Sequence, residues 1–284
     1  MAQVINTNMM SMNSQRQLNR SQMSMQTSLE RLSSGLRINR AKDDAAGLAI
    51  SERITSQVRG LDQAVRNAND GISLLQTAEG ALSEIQNAMQ RMRELAVQSR
   101  NGTYNASDRA SLNDEYVALK SEIVRITDVA EFNNINLLGT AGSIEFQVGW
   151  ENGANNIIKI STLDMAAAGN GSGGIANAVS AGAGSPSIGS AGSASAAMAA
   201  LDNAINRISE MRADFGAKQN RLESAVRNME NVIENQSAAR SRIQDTDFAR
   251  ETANLTRTQI LQQAGTAMLA QANQLPQNVL SLLQ

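Results

Sequence analysis

The chain has 284 residues, and its 25 basic and 27 acidic side chains give a formal charge of −2, so neither nucleic acid nor an anionic membrane is an expected partner. It contains no His and no Cys, which excludes Ser-His-Asp and Cys-His catalysis, thiolate zinc sites and disulfides. Aromatic residues make up only 2% and Pro occurs twice, which favours long helices packed through aliphatic side chains. The sequence has no apolar run long enough for a membrane span, and the first residues lack the pattern of a secretory signal peptide.

The N-terminal segment, residues 1–42, carries a thin apolar repeat of Met25, Leu29, Leu32 and Leu36. Its polar residues are mostly Asn, Gln and Ser, so the pattern predicts an amphipathic helix with no partner in its own neighbourhood. Asp43-Asp44 follows, just before a longer repeat begins. A carboxylate pair can do acid–base work or hold a metal, but this position favours helix N-capping.

Residues 43–164 contain the longest heptad pattern of the chain. From residue 54 to residue 96 the apolar side chains recur at spacings of four and three, which predicts a coiled-coil helix about 65 Å long. The repeat consists of Ile54, Val58, Leu61, Val65, Ala68, Ile72 and Leu75, then Leu82, Ile85, Met89, Met92 and Ala96. A second repeat runs from Leu112 to Ala130, and a third from Leu201 to Ile233, so three helices are expected to bury their stripes together.

Arg91 and Leu95 lie one helical turn apart, and Met92 of the repeat lies between them. Both residues are therefore expected off the buried seam, on another face of the helix. That face is either a solvated surface with ordinary ion pairs or a patch that binds a partner. The residues alone favour the solvated surface.

The middle of the chain changes character twice. Ile144, Phe146 and Val148 alternate with polar residues, and Ile158 and Ile160 alternate again after a turn at 151–153, which predicts a small β-hairpin near 144–160. Residues 165–198 are almost entirely Gly, Ser and Ala, which predicts a flexible linker or surface loop.

The C-terminal segment, residues 245–284, opens with Asp245 and Asp247, which are again expected to cap a helix. A heptad pattern follows, formed by Leu261, Gly265, Met268, Ala272, Leu275, Val279 and Leu282. The two terminal helices can pair with each other and with copies from other molecules, or they can pack on the main body as surface helices. Periodicity leaves both arrangements open.

Two long stretches resemble the bacterial flagellins. Residues 32–39 (LSSGLRIN) and 41–50 (AKDDAAGLAI) are similar to the N-terminal signature of that family, and residues 259–283 are similar to its C-terminus. The resemblance covers about residues 1–164 and 199–284. The Arg91–Gln98 stretch and the extended match at both ends favour a flagellin over the related hook–filament junction proteins. A soluble coiled-coil scaffold is the alternative from another class.

The resemblance implies a mainly α fold, with coiled-coil helices from both termini in an elongated rod and a small β-hairpin region. It implies that 1–42 and 245–284 form the filament inner core, that 43–164 and 199–244 form the outer core, and that 165–198 is the variable loop of a short flagellin. The core seam would contain Leu29, Leu32, Leu36, Leu261, Met268, Ala272, Leu275, Val279 and Leu282. The protein would then be a structural subunit of the swimming filament and not an enzyme, with no cofactor, metal site or catalytic residue.

The resemblance also implies partners and a location. The subunit would polymerise with its own copies outside the cell, after export through the flagellar channel without a cleaved signal peptide. It would meet the export apparatus and an export chaperone, as well as the filament cap and hook-junction proteins. A host flagellin-sensing Toll-like receptor would bind the monomer at the positions matching Arg91, Leu95 and Glu115.

Overall fold

A computed structural model describes residues 7–140, 142–162 and 187–281. The described residues form five long helices and two small antiparallel hairpins, which confirms the predicted mainly α fold with a β-hairpin region. The helices are α1 (Met9–Ser34), α2 (Ala45–Arg100), α3 (Ala106–Val129), α4 (Ala191–Gln244) and α5 (Phe248–Ser281). The strands are β1 (Glu131–Phe132), β2 (Ile135–Asn136), β3 (Gly142–Gln147) and β4 (Ile157–Thr162).

The chain divides into two compact units, and each contains residues from both halves of the sequence. The terminal unit comprises Met1–Val58 and Glu234–Gln284, and the central unit comprises Arg59–Ile233. The sequence places the borders at 42/43 and 244/245, whereas the compact terminal unit also takes in the start of α2 and the end of α4. Both helices run without a break through the positions at which the two units divide, 58/59 and 233/234.

The core of the central unit is built by α2, α3 and α4. Leu82, Ile85 and Met89 of the predicted α2 repeat are fully buried, as are Ile123 of α3 and Leu201 of α4. The heptad positions therefore pack as predicted, and one continuous apolar cluster joins the three helices.

The buried stripe of α2 is wider than a single heptad line. Adjacent residues such as Leu74 and Leu75, or Leu95 and Ala96, are buried together because the helix packs in a cluster with both α3 and α4. Leu95 is only 1% exposed, so its expected place on an open face is wrong. A single heptad repeat predicts the buried residues of a helix that packs against one other helix. Helix α2 packs against two helices, so more of its residues are buried than the repeat predicts.

Helix α4 begins well inside the segment predicted as a loop. It starts at Ala191, and Ala194 and Ala197 are fully buried, so the last part of the 165–198 segment is helix and core. Alanine is the best helix former, and a run of alanines among serines is as compatible with a helix as with a linker. Most of the predicted loop, residues 163–186, lies outside the described part of the chain.

Ile188 fixes the chain just before α4. Its side chain is fully buried, its N–H donates to Asn113 Oδ1 at 3.0 Å, and its carbonyl accepts a hydrogen bond from Ser99 Oγ. Ser99 belongs to α2 and Asn113 to α3, so this one residue is held by two helices.

The predicted hairpin is present, with Ile144 opposite Ile160 and Phe146 opposite Ile158. Its connection is a loop over 148–156, longer than the turn expected at 151–153, and it includes a 3-10 turn at Ala154–Asn156. The hairpin β1–β2 was not predicted. Its two turn residues, Asn133 and Asn134, both have positive φ, the geometry that a two-residue hairpin needs and that Asn adopts more readily than most residues.

Candidate assembly surface of the terminal helices

One carboxylate of each acidic cluster in the terminal unit caps a helix, as predicted. Asp44 Oδ1 accepts the N–H of Gly47 at 2.8 Å at the start of α2. Asp247 Oδ1 accepts the N–H groups of Ala249 and Arg250 at 3.0 and 3.2 Å at the start of α5.

Asp43 instead accepts the N–H groups of Asn39 and Arg40 before α2, and no cap hydrogen bond involves Asp245 among the described residues. The described residues contain no group of three or more carboxylates that could hold a metal ion.

The two connections at the ends of the terminal helices are joined to each other. Leu36 and Asp245 form an isolated antiparallel bridge, and the N–H of Thr246 donates to the carbonyl of Gly35 at 2.9 Å. Gly35 has a φ of +72°, which allows α1 to end in a left-handed cap before this bridge. Backbone hydrogen bonds therefore hold the segment after α1 next to the segment before α5.

Helices α1 and α5 pack against each other along a seam of small residues. On α1 the side chains that are buried or half-buried recur at spacings of three and four: Ser11, Ser14, Leu18, Ser21, Met25, Ser28 and Leu32. On α5 the matching series is Glu251, Leu255, Thr258, Gln262, Gly265, Leu269 and Ala272. Both series are heptads, so the pair has coiled-coil spacing with small polar residues at many of the contact positions.

Named contacts show that the pair is antiparallel. Ser11 Oγ donates to Asn273 Oδ1 at 2.8 Å near one end, and Arg31 Nη1 lies 3.7 Å from Glu251 Oε2 near the other. Between them, a Cβ added to Gly265 would lie 3.0 Å from Leu18 Cδ1, so the glycine allows a close approach of the two helices.

The predicted seam lies beside this contact and only partly within it. Ala272 is buried and Leu32 and Leu36 are half-buried, but Leu29, Leu261 and Met268 are 49%, 45% and 60% exposed. The side chains of Leu275 and Val279, and all of Leu282, lie outside the described residues. The seam within the subunit instead uses the neighbouring positions Ser28, Gln262 and Leu269.

A second signal in the sequence marks the true contact positions. Ser14, Ser21 and Ser28 recur every seven residues, as do Glu251, Thr258, Gly265 and Ala272. A search for apolar residues passes over such a series, because its members are small or polar.

Large apolar side chains of α1 and α5 lie both inside and outside their contact, with Leu18, Met25, Leu32, Leu255 and Leu269 half-buried within it. Among the described side chains of the two helices, nine large apolar ones are at least 45% exposed, and we call them the outer apolar set: Met9, Met10, Met12, Met23, Leu29, Phe248, Ile260, Leu261 and Met268. Soluble monomers rarely expose so many large apolar residues in one region, and such surfaces usually mark an interaction site.

On the central unit, two of the three predicted receptor residues meet. Arg91 Nε and Nη2 donate to Glu115 Oε1 at 2.9 and 2.8 Å, and Arg91 Nη1 donates to Glu94 Oε2 at 3.0 Å. Arg91 and Glu115 are exposed, whereas Leu95 is buried beneath them in the core cluster. The three do not form one exposed patch.

A helix pair that joins both ends of the chain and exposes large apolar side chains indicates a class of protein, namely structural subunits that assemble with their own copies. The sequence matches the bacterial flagellin N-terminal helical region over residues 5–142 and the bacterial flagellin C-terminal helical region over residues 198–283. The chain belongs to the bacterial flagellin family. It is a structural subunit of a flagellar filament, not an enzyme.

Full-length relatives agree with this membership. A flagellin of Halalkalibacterium halodurans is 48% identical over 282 residues, covering 99% of this chain and 100% of the relative, which fits a short flagellin without a large insertion. The flagellar filament 33 kDa core protein of Treponema phagedenis is 45% identical, with 99% and 100% coverage. Flagellin A of Vibrio cholerae is 38% identical over a longer alignment of 375 residues, with 99% of each chain covered. None of the described helices is both long and apolar enough to cross a membrane.

Proposed function

We propose that the outer apolar set is the surface through which the terminal helices of neighbouring subunits pack in the filament core, and that this packing drives assembly of a swimming filament. The observation that carries the proposal is the exposure of nine large apolar side chains on a helix pair whose own contact has small residues at many positions. Leu275, Val279 and Leu282 continue the spacing of Leu261 and Met268 towards the C-terminus, and we include them in this surface.

The energetics of the helix pair support this role. A fully buried Leu or Met side chain stabilises by roughly 1.5–3 kcal/mol relative to an exposed one, whereas a buried Ser contributes far less apolar area. The serines of the seam within one subunit therefore contribute little apolar free energy, and the apolar area of the nine exposed side chains is left for contacts with other copies.

A carboxylate at the centre of the outer apolar set tests this proposal. Leu261→Asp would place a charge in an apolar contact at a cost of several kcal/mol, so we expect elongation on filament fragments to fail while the central unit stays folded. Gln263→Asp is the matched control, since it adds the same charge at an exposed polar position two residues further along α5. Normal elongation by Leu261→Asp, seen by electron microscopy, would rule out the proposed surface.

The assignment of chain regions follows from the same proposal. The terminal helices, 1–42 and 245–284, would line the inner core of the filament. Residues 43–164 and 199–244 would surround them as the outer core. Helix α4 begins a few residues before 199. The subunit would be extracellular, having passed through the flagellar channel without a cleaved signal peptide. Its partners on that route would be an export chaperone and the export apparatus, then the cap and hook-junction proteins.

We also propose that the monomer is bound by the host flagellin-sensing Toll-like receptor at the exposed Arg91–Glu115 pair. The support is geometric: two charged side chains from different helices are held together by paired hydrogen bonds and stay open to solvent. An arginine fixed in this way is ordered before binding, which favours a binding hot spot. Leu95 is not part of the contact surface, because it is buried.

Arg91→Ala should lower receptor activation by roughly tenfold or more at equal monomer concentration. Arg207→Ala is the control, because Arg207 also pairs with a glutamate three residues along its own helix, Glu210, in the same unit. Equal activation by wild type and Arg91→Ala would refute the receptor proposal and leave filament assembly untouched.

A further inference from the structure

A groove on the central unit runs between the 148–156 loop and helix α4. It encloses about 640 Å³ and has an apolar floor that includes Leu61, Ile158 and Met229. Trp150 and Val232 line it while remaining 45% and 36% exposed. Arg221 is the only charged side chain among the described residues that line it. We call this the Trp150 groove.

The loop that presents Trp150 is held rigidly by side-chain amides. Gln147 Nε2 donates to the carbonyls of Gly149 and Glu151 at 2.9 and 2.7 Å, and Asn156 Nδ2 donates to the Glu151 carbonyl at 3.0 Å. Gly60 of α2 provides room for the residue, since a Cβ there would lie 2.8 Å from Trp150 Cβ. An exposed aromatic side chain on a loop whose backbone is held in this way requires little ordering of the loop on binding, which is typical of an interface anchor.

Other large apolar side chains are also exposed in the described part of the central unit. Val97 and Val117 lie in segments that carry both acidic and basic residues, including Arg91, Arg93 and Glu115. Val129 and Ile135, which are 60% and 45% exposed, lie in the segment 126–140, whose charged residues are all acidic.

Residues 126–140 contain Asp128 and Glu131, both exposed, and no Lys or Arg. Asn136 ties the segment together, because its Nδ2 donates to the carbonyls of Thr127 and Asp128 at the end of α3. We call Asp128, Val129, Glu131 and Ile135 the acidic ridge. No residue of the ridge lines the Trp150 groove.

We propose that the Trp150 groove of one subunit binds the acidic ridge of a second copy, as a filament contact separate from the terminal helices. Apolar side chains of the ridge would meet Trp150 and Val232, and a ridge carboxylate would meet Arg221. Complementary charge of this kind fixes the register of two surfaces. Because groove and ridge are different surfaces of one molecule, the contact is heterologous, and such contacts build open helical polymers when the rotation does not close. The proposal rests on the filament function.

Reciprocal charge reversal tests the contact directly. Arg221→Glu alone and Glu131→Arg alone should each raise the critical concentration for elongation on wild-type filament fragments by about tenfold or more. The double variant should recover most of that loss, since the two charges then attract again. Trp150→Ala should also weaken elongation, and neither charge reversal should restore it. Circular dichroism of each monomer should match wild type, because all three side chains are exposed.

Arg227→Glu is the control for a charge reversal on the same helix, because Arg227 pairs with Glu223 of its own helix. We expect this variant to elongate like wild type. The absence of rescue in the double variant, or normal elongation by Trp150→Ala, would overturn the groove–ridge contact. Failure of wild-type protein to elongate would instead count against the filament function.

Discussion

Leu95 and Arg91 are one turn apart on α2, yet one is in the core and the other is at the surface. Leu95→Ala should lower the free energy of unfolding by roughly 2–5 kcal/mol, because it removes buried methyl groups and leaves a cavity. Val97→Ala, at a side chain that is 47% exposed, should change stability far less.

Urea denaturation of both variants measures this difference. Any loss of receptor activation by Leu95→Ala should then follow the fraction of unfolded monomer. A stability of Leu95→Ala equal to that of wild type would contradict the burial of this residue.

Tyr116 makes the free energy of unfolding depend on pH. Its side chain is fully buried, its hydroxyl has no hydrogen-bond partner among the described residues, and burial raises its pKa from 10.0 to about 12. Between these values the unfolded chain loses the phenolic proton while the folded chain keeps it, so stability must fall as pH rises through this range. Below pH 10 the tyrosine is neutral in both states and has no such effect.

Tyr116→Phe should remove this part of the alkaline loss and leave stability at neutral pH unchanged or slightly higher, since an unpaired buried hydroxyl is removed. The measurement is the free energy of unfolding in urea at several pH values for wild type and variant. Burial lowers the pKa of Lys120, which acts in the opposite direction, but Lys120 is present in both proteins and cancels in the comparison. Parallel pH profiles would show that the hydroxyl titrates normally.

At the scale of elements, α4 begins inside the Gly/Ser/Ala segment, and this decides which deletions the subunit tolerates. Removing 170–195 would take away Ile188, Ala194 and the start of the helix, so we expect it to destabilise the central unit. Removing 168–184 leaves every described residue in place, and loop length itself costs little, about 0.6 kcal/mol per doubling.

Thermal unfolding of the two deletion variants compares these cases. The shorter deletion should unfold like wild type and should still elongate filaments, while the longer one should unfold at a lower temperature. Equal unfolding temperatures would show that Ile188 and Ala194 add little to the core.

The heptads of α2, α3 and α4 could be predicted because aliphatic residues at three- and four-residue spacing pack on each other wherever the chain folds. The burial of Leu95 could not be predicted, since it depends on a second neighbouring helix that periodicity does not reveal. The α1–α5 contact shares Met25, Leu32, Gly265 and Ala272 with the predicted repeats, but its serines could not be predicted because they bring helices close without an apolar signal. The hairpin β1–β2 was missed because strands of two residues are too short to show alternation.

At the scale of the whole molecule, the two units differ in how their helices are held. The central unit has a continuous apolar cluster, whereas the terminal helices meet through small residues and expose their large ones. Ordering a residue costs about 1–2 kcal/mol, which a seam of this kind offsets poorly. We expect limited proteolysis of the monomer to trim about residues 1–40 and 250–284 and to leave a resistant middle.

In filaments the same segments should resist cleavage, because neighbouring copies would cover them. Mass spectrometry of the fragments locates the cuts. Termini that survive in the monomer as long as residues 59–96 do would show that the α1–α5 pair is stable without other subunits.

The hold on Ile188 has a mechanical consequence for the region before it. Two helices grip its backbone and the core encloses its side chain, so a force applied upstream would reach Ser99 and Asn113 before it reached α4. A tether, tag or cargo inserted among 168–184 would therefore pull first on α2 and α3, and only then on the start of α4. An insertion designed for display on the filament should therefore end before Ile188, so that this residue keeps its contacts.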